Sequence, residues 1–262
     1  MIPLWKSHYS IGGKSILTLG PPNKEDKEGS DSIFSILQEA GMKQLVLVED
    51  SMIGFLEALK RSEELNIQLI FGLRVSMCDD ASIPKKESKE DNCEHKVIIF
   101  AKNDMGCKRL YGIHSAAHVK GQGRIDEDAL KKIWDKNDLE MAVPFYDSFI
   151  FKNTMGFNNC TPHLEDFSPS FFIERNGLPF DSLLEEYVVS FCKSFNYEIT
   201  LSKSIYYKLR RDFEAFQTYK CICSRNFGRA STLSRPNLDH FASREFCFES
   251  FMENKDNEFA SI

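Results

Sequence analysis

Glu49 and Asp50 stand side by side where the apolar run QLVLVE (44–49) ends, and Arg74 stands near the end of the next run, IQLIFGLRV (67–75). Adjacent carboxylates at strand ends can hold a divalent ion or exchange a proton with a bound group. An arginine among them would neutralise the same charge without an ion. Lys6 and His8 follow the apolar IPLW (2–5), two positions apart, so along an extended chain both side chains would point the same way. Three further histidines have the chemistry of ligands. His114 and His118 lie at i, i+4 on an expected helix, a spacing that can hold zinc, but no acid or cysteine lies near them in sequence, so they read as helix-surface residues. His163 follows Pro162 in an expected loop and could replace a missing ligand, while Glu174, ending the run FFIE, reads as structural.

The elements that must position these residues alternate. IPLW is the expected first strand, and 20–32 is a loop by its Pro, Gly and charge. A helix over 33–41 closes at Gly41, a strand covers 44–49, and a helix with Ser51 as its N-cap covers 51–66. The strand at 67–75 is followed by a charged stretch, 77–95, expected to be a mobile surface insertion. Strand 96–102 and helices 104–118 and 126–137 come next. LEMAVPF and DSFIFKN, between 138 and 165, are strand-like. Strand 169–174, helix 180–196, strand 197–202, helix 210–222 and a helical tail within 240–262 complete the chain. Such alternation implies a mainly parallel sheet flanked by helices. Short apolar strands without a dinucleotide fingerprint favour a closed barrel of seven strands, in one domain.

Composition narrows the function classes. The 262 residues are 42% hydrophobic and 27% charged, an ordinary globular balance, with net charge −6. An acidic surface disfavours non-specific nucleic-acid binding and leaves protein partners as the default. The eight cysteines are scattered, and Cys221 and Cys223 lack the second pair of a zinc ribbon, so most read as reduced core thiols. The 22 phenylalanines are core and interface material. No basic start followed by an apolar run marks a signal peptide, and no run approaches a membrane span, so a cytoplasmic protein is expected.

Five stretches, in order, are similar to one family. KSHYSIGGKSIL, the β-α-β unit 45–75, HKVIIFAKNDMGCKRLYGIHSAA (95–117), FFIERNGLP (171–179) and YEITLSKSIYYKLRRDFEAFQTYKCI (197–222) resemble the PHP (polymerase and histidinol phosphatase) domain of bacterial DNA polymerase III alpha subunits. The likeness runs over about 220 residues and implies a distorted (β/α)7 PHP-like barrel, a single domain. PHP enzymes hold two or three divalent metals with His, Asp and Glu at the strand ends and hydrolyse phosphoesters. In the corresponding positions this chain has Leu4 and Lys6 for the opening histidine pair, and Glu49 and Asp50 for an Asp-His pair. Arg74 takes the place of a strand-terminal Glu, and Ser204 and Tyr206 that of a late Asp-x-His. With His8, these positions outline a vestigial pocket in which no metal, cofactor or catalytic residue is expected.

The resemblance therefore implies a catalytically inactive scaffold or interaction subunit of a polymerase III-type replication complex. Its partners would be polymerase or proofreading exonuclease components, with DNA met only indirectly. The similar region stops before the family's palm aspartates, so no polymerisation by this stretch is expected, whether it is a separate subunit of a split polymerase, of the kind a phage encodes, or part of a longer polymerase. Two alternatives stand beside it. One is a divergent metal-dependent phosphoesterase using His8, Glu49, Asp50 and His163. The other is a stand-alone adaptor that binds host replisome components.

Overall fold

The computed structural model describes residues 1–10, 12–20, 29–84, 92–156, 160–223 and 243–260, the last five of these by backbone alone. The elements in chain order are β1 (Ile2–Trp5), α1 (Ile33–Glu39), β2 (Gln44–Glu49), α2 (Phe55–Leu65), β3 (Gln68–Cys78), β4 (His95–Ala101), α3 (Asp104–Val119), β5 (Arg124–Asp126), α4 (Glu127–Lys131), β6 (Leu139–Val143), α5 (Phe149–Thr154), β7 (Ser170–Ile173), α6 (Asp181–Phe195), β8 (Glu198–Ile205), α7 (Phe213–Cys223) and α8 (Phe248–Ala260). Hydrogen bonding orders the strands β2-β1-β8-β7-β6-β4-β3, and a further β2–β3 pairing closes this seven-membered ring into a barrel. The short β5 adds to the far end of β3, with Ser76 opposite Arg124. The α/β barrel expected from the alternation is present.

β4 departs from the parallel pattern. It runs antiparallel to β3 and to β6. Among the described residues of the connection no helix intervenes, and a parallel partner would need such a crossover. The connection is also shorter than the expected insertion, because β3 runs on to Cys78 and β4 begins at His95. The centre of that charged stretch, 85–91, lies outside the described residues, as do 240–242 and 261–262 of the expected tail.

Two local readings need correction. DSFIFKN contains helix α5, not a strand. Its aromatic and β-branched residues favour a strand by type, but Ser148 Oγ accepts a hydrogen bond from Phe151 N at 3.1 Å and starts a helical turn whose first three residues are buried. Helix α2 begins at Phe55, with Gly54 as its N-cap, and the Ser51 hydroxyl accepts instead from Ile53 N at 3.4 Å. At the other end, Asn66 closes α2 in the left-handed conformation, φ 52°.

Two compact units share the chain, the first being 1–70, 175–178 and 202–262, the second 71–174 and 179–201. Two of the divisions fall inside β3 and β8, and the other two bracket 175–178 between β7 and α6. In the first unit Trp5, Leu17, Leu37, Leu47, Tyr207, Phe216 and Phe246 are buried, and the Trp5 ring lies 5.3 Å from that of Phe248. In the second, α5, β7 and α6 meet through Phe149, Phe171 and Phe191, with Phe149 and Phe191 packed edge-on at 5.2 Å. Burying aromatic rings of this size stabilises each unit mainly through the apolar area removed from water.

Arg210 fastens α8 to the first unit. Its guanidinium donates to both carboxylate oxygens of Glu245, at 2.9 and 2.8 Å, and to Glu253 at 2.7 and 2.6 Å, while its backbone N–H donates to Glu249 at 2.8 Å. Arg210 holds the Glu245 carboxyl down at about 2. We expect Arg210→Ala to cost about 1–2 kcal/mol, the bidentate pairing raising it above an exposed pair and partial exposure limiting it. The advantage of the wild type should be complete above the ordinary carboxylate range and fade as pH falls toward 2, because the depressed Glu245 is ionised in the folded state where the unfolded one is protonated. Urea unfolding of both chains between pH 2 and 7 checks this, and a pH-independent difference would contradict it.

Candidate functional site

β1 and β2 place the candidate residues at their ends. Trp5 pairs with Leu47, and on the other side Leu4 and Trp5 pair with Ser204 and Ile205 of β8. Lys6 continues the strand, its N–H donating to Ile205 O at 3.2 Å. Its side chain is buried, unusual for an ammonium and tolerable because Nζ donates to Val48 O at 3.3 Å and to Asp50 Oδ2 at 3.4 Å. Lys14 Nζ approaches the same Asp50 oxygen at 3.2 Å. Two ammonium groups thus converge on one carboxylate.

Glu49 is buried deeper, at 1% exposure, and both of its oxygens are occupied. Ser7 N donates to Oε1 at 2.7 Å, and the Ser10 hydroxyl donates a short hydrogen bond to Oε2. Burial pushes the Glu49 carboxyl above the usual range, against the pull of Lys6 and of the hydrogen bonds from Ser10 and Ser7. Lys6 and Lys14 against Glu49 and Asp50 give two positive and two negative groups, which balance without an ion.

The loop that makes this possible runs from Lys6 back to Leu17, where His8 N donates to Leu17 O at 2.8 Å. Gly12 and Gly13 take φ of 83° and 65°, left-handed values that favour glycine, so the chain reverses and brings Lys14 back to the strand ends. Ser7, Ser10 and Lys14 were not foreseen as site residues. The GG pair just before Lys14 was the available signal, since a tight reversal there returns the next side chain to its starting point.

The remaining expected positions make contacts of their own. The ring of His8 lies against Tyr9, centroids 4.1 Å apart, and the Tyr9 hydroxyl donates to Glu57 at 2.6 Å. The ring of Tyr206 is taken up between Phe246, at 5.3 Å and nearly parallel, and Phe216, at 5.9 Å. Its carbonyl accepts from the Ser15 hydroxyl at 2.9 Å. Arg74, in the second unit, forms an ion pair with Asp147. His163 is exposed, and His114 and His118 stack on each other at 4.1 Å, with His118 Nδ1 3.0 Å from the His114 carbonyl. Glu174 is buried just beyond β7.

Residues 29–145 match the PHP domain. That span contains the β2-α2-β3 unit with Glu49, Asp50 and Arg74, so the resemblance read from the sequence holds. The chain is also similar to the DNA polymerase III subunit alpha of Borreliella burgdorferi, 22% identical over 236 residues, which cover 85% of this chain and 20% of that protein. The chain thus spans about a fifth of that relative's length.

A PHP domain implies divalent metals at these strand ends, and the donor set here does not suit them. Lys6 carries a positive charge where a ligand would stand, both Glu49 oxygens already accept hydrogen bonds, and Asp50 is approached by two ammonium groups. An ion would have to displace the buried Lys6 and the half-buried Lys14 from their carboxylate. Within the described residues of each unit taken by itself, the potential ligands close enough to share an ion are Cys93, His95 and Cys160, none of them at this site.

Proposed function

We propose that this chain is a catalytically silent PHP-like component of a DNA replication complex, acting through protein association. The observation that carries the reading is the Lys6–Asp50–Lys14 cluster beside a fully hydrogen-bonded Glu49, which fills the strand ends where a PHP enzyme would bind metal. A phosphoesterase needs metal there to lower the pKa of its water and to polarise the phosphoryl oxygen. The buried Lys6 ammonium and the half-buried Lys14 offer neither a vacant coordination position nor a base. The likeness to a polymerase III alpha subunit supports replication as the setting, and the acidic balance of the chain favours protein over DNA as the direct partner. The partner classes are the polymerase chain itself and its proofreading exonuclease. No helix among the described residues is long and apolar enough to cross a membrane, which fits a complex of this kind.

Affinity purification of the tagged chain from its native host, after nuclease treatment of the lysate, tests the proposal. Stoichiometric recovery of a replicative polymerase or exonuclease component is expected. Recovery of the chain alone, together with divalent-metal-dependent hydrolysis of a phosphodiester, would favour the phosphoesterase instead.

A further inference from the structure

Cys93, His95 and Cys160 come together in the second unit. Cys93 and His95 are two apart where β4 begins, so their side chains share one side of an extended chain. Cys160 arrives from the segment after α5, its Cα 5.7 Å from that of Cys93 across 67 residues of sequence. The two sulfurs are in bonding contact as a disulfide, a correction for this pair to the reading of scattered reduced thiols. The other six cysteines are free. His95 Nδ1 lies 3.7 Å from Cys93 Sγ, and the three potential donor atoms all lie within 4.8 Å of one another.

We propose that Cys93, His95 and Cys160, with both sulfurs reduced, form a site for Zn2+. Tetrahedral zinc with Zn–S near 2.3 Å and Zn–N near 2.05 Å places S and N about 3.6 Å apart, close to the observed sulfur–nitrogen separation. Opening the disulfide takes two electrons and two protons from a dithiol, which itself becomes a disulfide. Zinc then replaces the two thiol protons, and the sulfurs separate to about 3.8 Å across the metal.

The surroundings hold the donors in place. Cys93 N donates to Asp79 Oδ2 at 2.9 Å. Asn153 grips the backbone of Cys160 twice, its side-chain N–H donating to Cys160 O at 2.6 Å and its Oδ1 accepting from Cys160 N at 3.0 Å. His95 is 2% exposed, packed edge-on to Phe149, and its Nε2 is buried with no hydrogen-bond partner. Two sulfurs and an imidazole make a soft donor set that selects zinc over magnesium or manganese, and a fourth position remains for water.

The full chain, purified under a phosphine reductant and dialysed against metal-free buffer after Zn2+ loading, should retain one zinc per chain. The Co2+ form of the unmodified chain should show a thiolate-to-metal charge-transfer band. Cys93→Ser or Cys160→Ser should abolish retention, His95→Ala should weaken it at least tenfold, and Cys78→Ser should leave it unchanged. A reduced chain that holds no zinc and gives no charge-transfer band would overturn the proposal without any variant needing to fold. So would zinc retained equally in Cys93→Ser, or a Cys93–Cys160 bond that resists reduction in the folded chain. The charge-transfer band and the cysteine variants do not bear on the strand-end cluster, which contains no cysteine.

Discussion

Lys6→Ala should lower the free energy of unfolding by about 3–5 kcal/mol, the cost of removing one partner from a buried ion pair. The ammonium lies among Val48 O and Asp50 Oδ2 at 5% exposure, so water cannot take its place cheaply. Lys14 remains within 3.2 Å of Asp50 and should keep the loss toward the lower end. Lys6→Met keeps most of the aliphatic stem and should lose nearly as much, separating the charge from the cavity. The deficit should shrink in acid, where the stranded carboxylates can protonate. Urea unfolding of the three chains at neutral and acidic pH measures all of this. A neutral-pH difference under about 0.5 kcal/mol for both variants, the size of an exposed-surface change, would mean that Lys6 is no plug.

Glu49 should give the second large effect, and its two obvious replacements should diverge. Glu49→Ala leaves Ser7 N–H and the Ser10 hydroxyl without their shared acceptor and opens a void, at a cost of about 2–4 kcal/mol. Glu49→Gln keeps an oxygen for Ser7 N and an N–H that the Ser10 hydroxyl can accept, and it removes a charge that burial disfavours. We expect it within about 1 kcal/mol of the wild type at neutral pH, with Lys6 then short of one counter-charge as the opposing effect. The sign of the pH dependence follows from the raised carboxyl. Between the ordinary glutamate range and the raised folded value, the unfolded chain has lost a proton that the folded chain keeps, so stability falls as pH rises through that window. Glu49→Gln should flatten this slope. An unchanged slope, or equal losses for Ala and Gln, would show that Glu49 is not the buried acceptor described.

Much of the first unit could be read from the sequence, because its signals are local. The runs QLVLVE and IQLIFGLRV are apolar and flank an amphipathic segment, which fixes a strand, a helix and a strand and puts Glu49 and Asp50 at a strand end. The order of the five similar stretches carried the barrel. What escaped was set by tertiary partners. Phe149 to Phe151 are strand-like by type, yet Ser148 caps them into a helix whose side chains are wanted by β7 and α6. β4 runs antiparallel to β3, a matter of connection and not of composition. Arg74 forms an ion pair with Asp147, 73 residues on, a partner that no local signal announces. The meeting of Cys93 and Cys160 has no local trace, since neither residue belongs to a short metal-binding motif.

Lys6 and Lys14 both meet Asp50 at these strand ends, and an ion there would compete with them. Calorimetric titration of Mn2+ into the reduced full chain carrying Cys93→Ser and Cys160→Ser asks this most directly, because Mn2+ prefers oxygen and imidazole donors and the sulfur pair is absent. The expected result is no saturable uptake, in Lys6→Met as in the parent, since Lys6→Met restores space but supplies no imidazole. Stoichiometric Mn2+ binding that is lost on Glu49→Gln or weakened on Asp50→Asn would contradict the account and place a working metal at the ends of β1 and β2.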